Sequence, residues 1–455
     1  MLYFGSILFF VIHLGIGAEK LSFFFKFLRI DKRIAPSPSE IKKTAVKLSE
    51  LLDLYQEEQQ KKYKLNEPLK IAGGVDETYF DSMILVLMDL SSGYIFVEEE
   101  SEDKSYETWL EKSKKVADKF GIEFKYFVSD RAKQLIQLAT QGFKCLSVPD
   151  LFHASHELVK QFGLSLKRKK ADIEKKIAKE IVQLTLLIEL SQDTSPQKTI
   201  IKELENQHIE IEKAISTYRN ILHRISIALH PFDIKDSSKV TSVMIRVQLY
   251  SILQEAETLK EEQGIKSKKD HLKKFKKQIE GMASLIDTWW LWVNEYFQVD
   301  DISEECKNWV QYYLLPFLYW QKQADRTKAS DLKEGYQYAA DKSLDKLDNH
   351  PLTSIFMENK DMISWAKWMV SNFQRTSSAV EGRNGWLSQM HHNGRGLAPK
   401  RLKAQTVLHN YFLKRDDGTT AAERLFHEKF PDPLEWVIEK MGDLPLPRES
   451  KKKIR

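Results

Sequence analysis

Apolar residues change their spacing along the chain and so divide it into four stretches. The first, MLYFGSILFFVIHLGIG, is apolar throughout and runs into AEKLSFFFKFLRI, where Leu21, Phe24, Phe25 and Leu28 recur at helical spacing; this predicts an apolar helix that packs into the protein. The punctuation APSPSE then starts a second helix. Ser37 or Ser39 can cap it, Pro38 fits its first turn, and Ile41, Val46, Leu48, Leu51, Leu52 and Tyr55 continue it, while the polar end from Gln56 to Lys64 reads as a solvated linker.

The second stretch is built of short β-branched and aromatic runs. LKIAGGVDETYF, MILVLMDL and GYIFVEEE predict three strands, the last two joined through Ser91-Ser92-Gly93 as an antiparallel hairpin. A helix from Ser105 to Phe120, a strand EFKYFVSD ending in Asp130, a helix AKQLIQLATQ and a strand FKCLSVPD ending in Asp150 follow. Such an order predicts a mixed sheet whose strand termini line one edge, the usual place for a site in an α/β fold, and it makes Asp76 and Asp130 candidate neighbours. Taken singly, each is as readily a turn or cap residue, and Asp130 before RAKQLI is a good N-cap.

From His153 to Phe373 the β pattern stops. Charged-apolar helical patterns take over, divided by Pro196, Pro231 and Pro316 into helices of bundle length, and Trp289, Trp290, Trp292, Trp309 and Trp320 read as their core. In the last stretch a helix from Ser377 to His391 puts Ser377, Glu381, Asn384 and Ser388 on one polar face and Ala379, Val380, Trp386, Leu387 and Met390 on the other. Gly382 and Gly385 each cost such a helix roughly 1 kcal/mol, which suggests that another group, such as a backbone, approaches there.

Length and charge add bounds. A chain of 455 residues has room for two or three domains. Its net charge of +5 is modest, but Lys167–Lys170, Lys266–Lys277 and the C-terminal KKKIR bunch the basic residues, as a polyanion-facing surface or solvated helix faces would. Cys145 and Cys306 lie far apart without CxxC spacing, which argues against zinc and a disulfide framework and fits a reducing compartment. The apolar start lacks a basic n-region, falls short of about 18 residues and contains His13, which weighs against a signal peptide or a membrane span.

Five blocks carry a resemblance: GGVDETYF, FVSDRAKQLI, VPDLFHASHE, SSAVEGRNGWLSQMHHNGRGL and HNYFLKRDDGTTAAERLF. Together they resemble a DDE transposase of bacterial insertion sequences, of the kind whose catalytic core is interrupted by a helical domain between the second Asp and the Glu. The resemblance runs from about Lys20 onward. It implies an α/β RNase H-like catalytic core, a mixed five-stranded sheet with flanking helices, interrupted by a large all-α insertion domain. The corresponding divisions are an N-terminal helical segment 1–68, a first core part 69–160, the insertion 161–372 and a second core part 373–455 with the Glu helix and a basic tail.

Position by position, the resemblance implies Asp76 and Asp130 as catalytic aspartates and Glu381 as the third acid. Asp150 and His153 match a D-x-x-H pattern that supports the site and the DNA end, and Arg131, Arg383, Asn384 and Arg395 stand near the acids as DNA-binding or supporting residues, with Arg375 and Arg401 further candidates. Two departures are visible. The usual N-terminal DNA-binding segment would lie upstream of Met1 or be reduced to its last helix, so a truncated start is expected; and Met390, His391 and His392 stand where some DDE groups carry a basic residue.

The implied chemistry needs two Mg²⁺ ions, replaceable by Mn²⁺, about 4 Å apart. Asp76 would bridge them, Asp130 complete one shell and Glu381 the other. No covalent protein nucleophile is needed. The implied partners are double-stranded DNA, both terminal inverted repeats and target, and a second copy when two ends are paired; the implied location is cytoplasmic, at the nucleoid, without membrane. The alternative is a truncated or domesticated DNA-binding protein with an inactive core.

Overall fold

The β-branched runs from Leu69 onward build a single five-stranded mixed sheet in a chain that is otherwise mostly helical. The structure, a computed structural model, describes residues 1–62, 68–299, 302–394 and 396–446. The chain divides into two units, Met1–Ser147 with Ser377–Arg455, and Val148–Thr376.

In the first unit the apolar start is interrupted, contrary to a helix running through it. Helix α1 (Leu2–Ser6) passes into a π-helical turn (Ile7–His13), and α2 (Ala18–Phe27) begins anew. The break falls at Gly15, whose φ of +73° lies in the left-handed region that favours glycine, and the amide of Gln405 donates to the Ile12 carbonyl at 2.9 Å. Leu21 and Phe25 are buried, whereas Phe24 and Leu28 are exposed. Helix α3 (Pro38–Lys62) continues through the described part of the expected linker. That end is not merely solvated: Gln59 is buried, and Tyr55 donates its hydroxyl to the Pro431 carbonyl at 2.5 Å.

The strands are β1 (Leu69–Tyr79), β2 (Met83–Asp89), β3 (Ile95–Ser101), β4 (Ile122–Ser129) and β5 (Leu146–Pro149), in the order β3-β2-β1-β4-β5. β1 is central, antiparallel to β2 and parallel to β4. Asp89 closes the β2–β3 hairpin by accepting from the Ser92 amide at 2.8 Å and its hydroxyl at 2.5 Å, with Gly93 at φ +80°. α4 (Tyr106–Phe120) starts on a Ser105 cap and ends at left-handed Gly121, and α5 (Lys133–Gln137) runs into a π-helical turn (Leu138–Gly142).

The second unit is helical: α6 (Leu151–Leu158), α7 (Leu164–Glu189), α8 (Ser195–Ala228), α9 (Ser242–Glu262), α10 (His271–Lys276), α11 (Ile279–Val299), α12 (Glu304–Trp309), α13 (Leu315–Arg326), α14 (Ser330–Asp348), α15 (Thr353–Phe356) and α16 (Lys360–Ser371). Its limits fall at Val148 and Thr376, where 161 and 372 were expected. Pro196 sits in the first turn of α8 and Pro231 follows its end. Pro316 does not break the chain: α12, a π-helical turn (Val310–Leu314) and α13 follow one another directly, and the widened turn accommodates a residue without an N–H. All five tryptophans expected in the core are buried.

The chain returns to the first unit in α17 (Ser378–Gly394), α18 (Pro399–Tyr411), α19 (Ala421–Phe426) and α20 (Pro433–Met441). α18 covers the exposed edge of the sheet. The Asn410 side chain accepts from the Ile95 amide and donates to the Ile95 carbonyl, both at 2.9 Å, so the edge strand's outward groups are paired. Beside it, partly buried His409 contacts the Gly93 carbonyl through Nε2 at 2.9 Å. No helix among the described residues is long and apolar enough to cross a membrane.

Burial lowers the His409 pKa from 6.5 to about 3, with the Arg383 charge acting in the same direction. An unfolded chain therefore binds a proton there below about 6.5 that the folded chain refuses, so stability falls as pH falls, by up to about 1.4 kcal/mol per pH unit. Urea unfolding between pH 7 and 5 should show this slope, and His409→Gln should flatten it; an equal slope in the variant would refute the assignment.

Candidate active site

One glycine lets a helix settle on the central strand. A Cβ at Gly74 would lie 2.4 Å from Leu90 and 2.8 Å from Val380 of α17, whereas one at Gly73 would lie 2.6 Å from the Phe127 ring of the neighbouring strand. Gly74 in GGVDE thus gives α17 its seat, two residues before Asp76. Ser377, Val380, Arg383, Leu387 and Met390 form the buried side of α17 and its entry. Asn384 reaches the strand, donating through Nδ2 to Asp76 Oδ2 at 2.8 Å. Glu381 stands one turn earlier on that same face.

Asp130 arrives from the neighbouring strand. Gly74 pairs with Val128 in the parallel β1–β4 ladder, and Asp76 and Asp130 each stand two residues beyond that pair. β4 ends at Ser129, so Asp130 occupies the turn beside the continuing β1. It is not the expected helix cap: α5 starts after Ala132, and Asp130 Oδ1 instead accepts from the Ala132 amide at 2.9 Å. Arg131 between them has φ +63° and donates its amide to Ser129 Oγ at 3.1 Å. A non-glycine residue in this region costs of order 1–3 kcal/mol, and such strain gathers at functional sites. Its guanidinium pKa is lowered by burial.

The neighbouring acid, Glu77, is held structurally by Trp109 Nε1 at 3.2 Å and Gln134 Nε2 at 2.9 Å. Asp76 and Asp130 thus stand at adjacent strands and Glu381 on the helix that Asn384 ties to Asp76, but the three carboxylates do not draw together into one ligand cluster among the described residues; the Asn384 Oδ1 atom is buried and without a partner among them. Hard oxygen donors of this kind suit Mg²⁺ or Mn²⁺.

The other expected residues are distributed differently. Arg383, next but one to Glu381, points inward: Nε and Nη2 fork onto Glu98 at 2.7 and 2.6 Å, Thr406 donates to the same carboxylate at 2.6 Å, and the Trp386 ring lies 4.3 Å away. Its guanidinium is committed to the core and not presented to a DNA phosphate. Asp150 caps α6 of the helical unit by accepting from the His153 amide at 3.0 Å. Arg375, in that unit too, donates to the carbonyls of Ser226 and Leu229. Arg401 donates to Ile12 O at 3.3 Å. His391 pairs with Asp81 at 2.8 Å and stacks on Phe80, while His392 is exposed. Arg395 lies outside the described residues.

Gly382 and Gly385 are exposed, and nothing lies within 4 Å of a Cβ built on either. The close approach expected on them occurs at Gly74 instead. Glu98 was missed from sequence: within the run of three glutamates nothing distinguishes the one that faces Arg383.

Residues 310–453 match a family described as "Family of unknown function (DUF6399)", a match that takes in the end of the helical unit and the whole of α17 to α20. A comparison with the curated proteins finds no match.

Two substitutions test this geometry. Gly74→Ala forces a methyl into Leu90 and Val380 and should lower stability by about 1–3 kcal/mol in urea unfolding. Arg383→Ala leaves the buried Glu98 carboxylate without its counter-charge and should cost about 3–5 kcal/mol. Wild-type unfolding midpoints in these variants would refute the close packing and the buried pair respectively.

Proposed function

We propose that the chain is a metal-dependent DNA-cleaving and strand-transferring enzyme, a transposase of the DDE type, with Asp76, Asp130 and Glu381 as its catalytic acids. One observation carries the reading: Asn384 of α17 bonds Asp76 on the central strand, which brings the face bearing Glu381 to the strand beside which Asp130 stands. The three acids lie far apart in sequence, and the fold gathers the elements that bear them. The strand order β3-β2-β1-β4-β5, with an antiparallel start and a parallel β1–β4 pair, supports an RNase H-like core.

Asp76, Asp130 and Glu381 would hold Mg²⁺ or Mn²⁺, two ions in this reading. When bound, the ions supply activation of water or a 3′-hydroxyl and stabilisation of the leaving oxygen. Asn384 holds one oxygen of Asp76 and so fixes the direction of the carboxylate. The Asp130–Ala132 turn and the strained Arg131 fix the second acid at the strand end. No Ser, Cys or Tyr nucleophile takes part. The substrate in this reading is double-stranded DNA at terminal inverted repeats, joined to a target, with two copies of the chain pairing two ends in the cytoplasm at the nucleoid.

The test is cleavage and strand transfer on a duplex bearing the element's terminal repeats. Activity should require Mg²⁺ or Mn²⁺ and vanish in EDTA. Asp76→Asn, Asp130→Asn and Glu381→Gln should each lose about 10²–10³-fold or more in rate, as expected when ~3–4 kcal/mol of charge stabilisation is removed, with unfolding midpoints unchanged. If all three variants cut at the wild-type rate, the assignment falls.

A further inference from the structure

The block RDDGTTAAERLF is as particular as the acid-bearing blocks, yet the chemistry above makes no use of it. It folds into a tight loop. Asp417 Oδ1 accepts from the Thr419 amide at 2.8 Å and its hydroxyl at 2.6 Å, Gly418 takes φ +76°, and Thr420 with Glu423 forms a reciprocal cap that starts α19. Arg424 ties the loop to the β2–β3 turn, donating through Nε to the Ser92 carbonyl at 2.9 Å and through Nη1 to the Thr419 carbonyl at 2.6 Å. Arg415 lies across Gly93, where a Cβ would come within 2.7 Å of its Nη2.

This arrangement encloses a cavity of about 350 Å³ whose lining includes Lys414, Arg415, Arg424, Gly382 and Trp386. Gly382 and Trp386 lie on the side of α17 that is about half a turn from Glu381 and Asn384, so the cavity is separate from the acid site. The lining carries Arg383, Lys414, Arg415 and Arg424 and, among the described residues, no carboxylate, while Asp417, Asp89 and Glu423 act on Arg424 from outside the lining. Arg383 is neutralised by Glu98, and Asp417 stands 4.0 Å from Arg424. Asp89 spends one carboxylate oxygen on Ser92, and burial raises its pKa. Burial, followed by the charge of Arg415, pulls Arg424 down to about 10. The Trp386 ring already takes His13 at 5.4 Å and the Arg383 guanidinium at 4.3 Å, so it is not a platform for a stacked base.

We propose that this pocket binds a phosphate group through Lys414, Arg415 and Arg424, and that the phosphate belongs to a DNA backbone passing along the side of α17 opposite Glu381. The backbone carbonyls that hold Arg424 through Nε and Nη1 and Arg415 through Nη1 fix both guanidinium groups and leave their Nη2 groups, with the Lys414 ammonium, for a tetrahedral oxyanion. The bare surface at Gly382 leaves the approach open. The phosphate chemistry stands on the pocket alone; its source in DNA rests on the function proposed above.

The experiment measures binding of the full chain to a fluorescein-labelled DNA duplex by anisotropy, in EDTA, across a salt series. Two variants are compared with wild type. Lys414→Gln/Arg415→Gln removes two cations, and Gly382→Glu sets a carboxylate at the wall where nothing lies within 4 Å of the new Cβ, so it should fold. The double variant should bind about tenfold more weakly or worse and lose about 2 from the slope of log affinity against log salt, and Gly382→Glu should weaken binding similarly. Circular dichroism and urea midpoints should match wild type. Wild-type affinity and slope in both variants would overturn the proposal. Calorimetric titration with inorganic phosphate separates the sources: phosphate bound by wild type but not by the variants, with DNA binding unaltered, would overturn the DNA assignment and leave a free-phosphate site. Asp76→Asn and Glu381→Gln should bind the duplex as wild type does, so a failure of cutting and a failure of this pocket are told apart.

Discussion

The contact between Val380 and the bare backbone at Gly74 is the constraint on which the first unit's chemistry depends. A side chain at that point would hold the helix off the strand, because interiors are packed too densely to absorb even a methyl without movement. Three consequences follow from the seat. Asn384 comes within hydrogen-bonding reach of Asp76, Glu381 shares its face, and Arg383 is driven to the other side, where Glu98 receives it. The Asn384–Asp76 bond and the Arg383–Glu98 anchor are thus set by one helix orientation.

The buried pair behind the helix reinforces that orientation. Glu98 lies on β3 and Thr406 on α18, so one carboxylate joins strand, returning helix and α17. A buried ion pair is a poor source of net stability, but breaking it by half is costly, which makes it an effective lock on alignment. The same side of the helix carries the cationic pocket. Glu381 and the cationic pocket thus lie on opposite sides of one helix, about a helix diameter apart.

Much of this was readable in the chain. Period and punctuation located the five strands, the helix beginning at Ser105, the helical region and the tryptophan core, because each rests on local spacing. The shared face of Glu381 and Asn384 followed from the 3.6-residue repeat, whereas Ser377, expected on that face, is buried at the entry of α17. What escaped was non-local. Nothing near Arg383 announces Glu98, and closeness to Glu381 in sequence suggested a shared role that the helix turn denies. Gly382 and Gly385 drew attention, while the glycine that receives the helix lies on β1. Three glycine and isoleucine residues at 15–17 ended the apolar helix, and a π-helical turn absorbed Pro316, neither of which hydrophobic periodicity registers.

The order of elements along the chain has a consequence in time. β1 and β4 are synthesised early, but α17 and α18, which seat against β1 and cover β3, come only after the whole of residues 148–376. Domains emerging from synthesis tend to fold as units, and contacts of such long sequence separation are slow to form. The helical unit is therefore complete in the chain while the sheet still lacks its edge cover and the helix seated on β1. A nascent chain carries β1 and β4 without α17, so the helix that bears Glu381 and Asn384 reaches Asp76 only after residues 148–376 have been made.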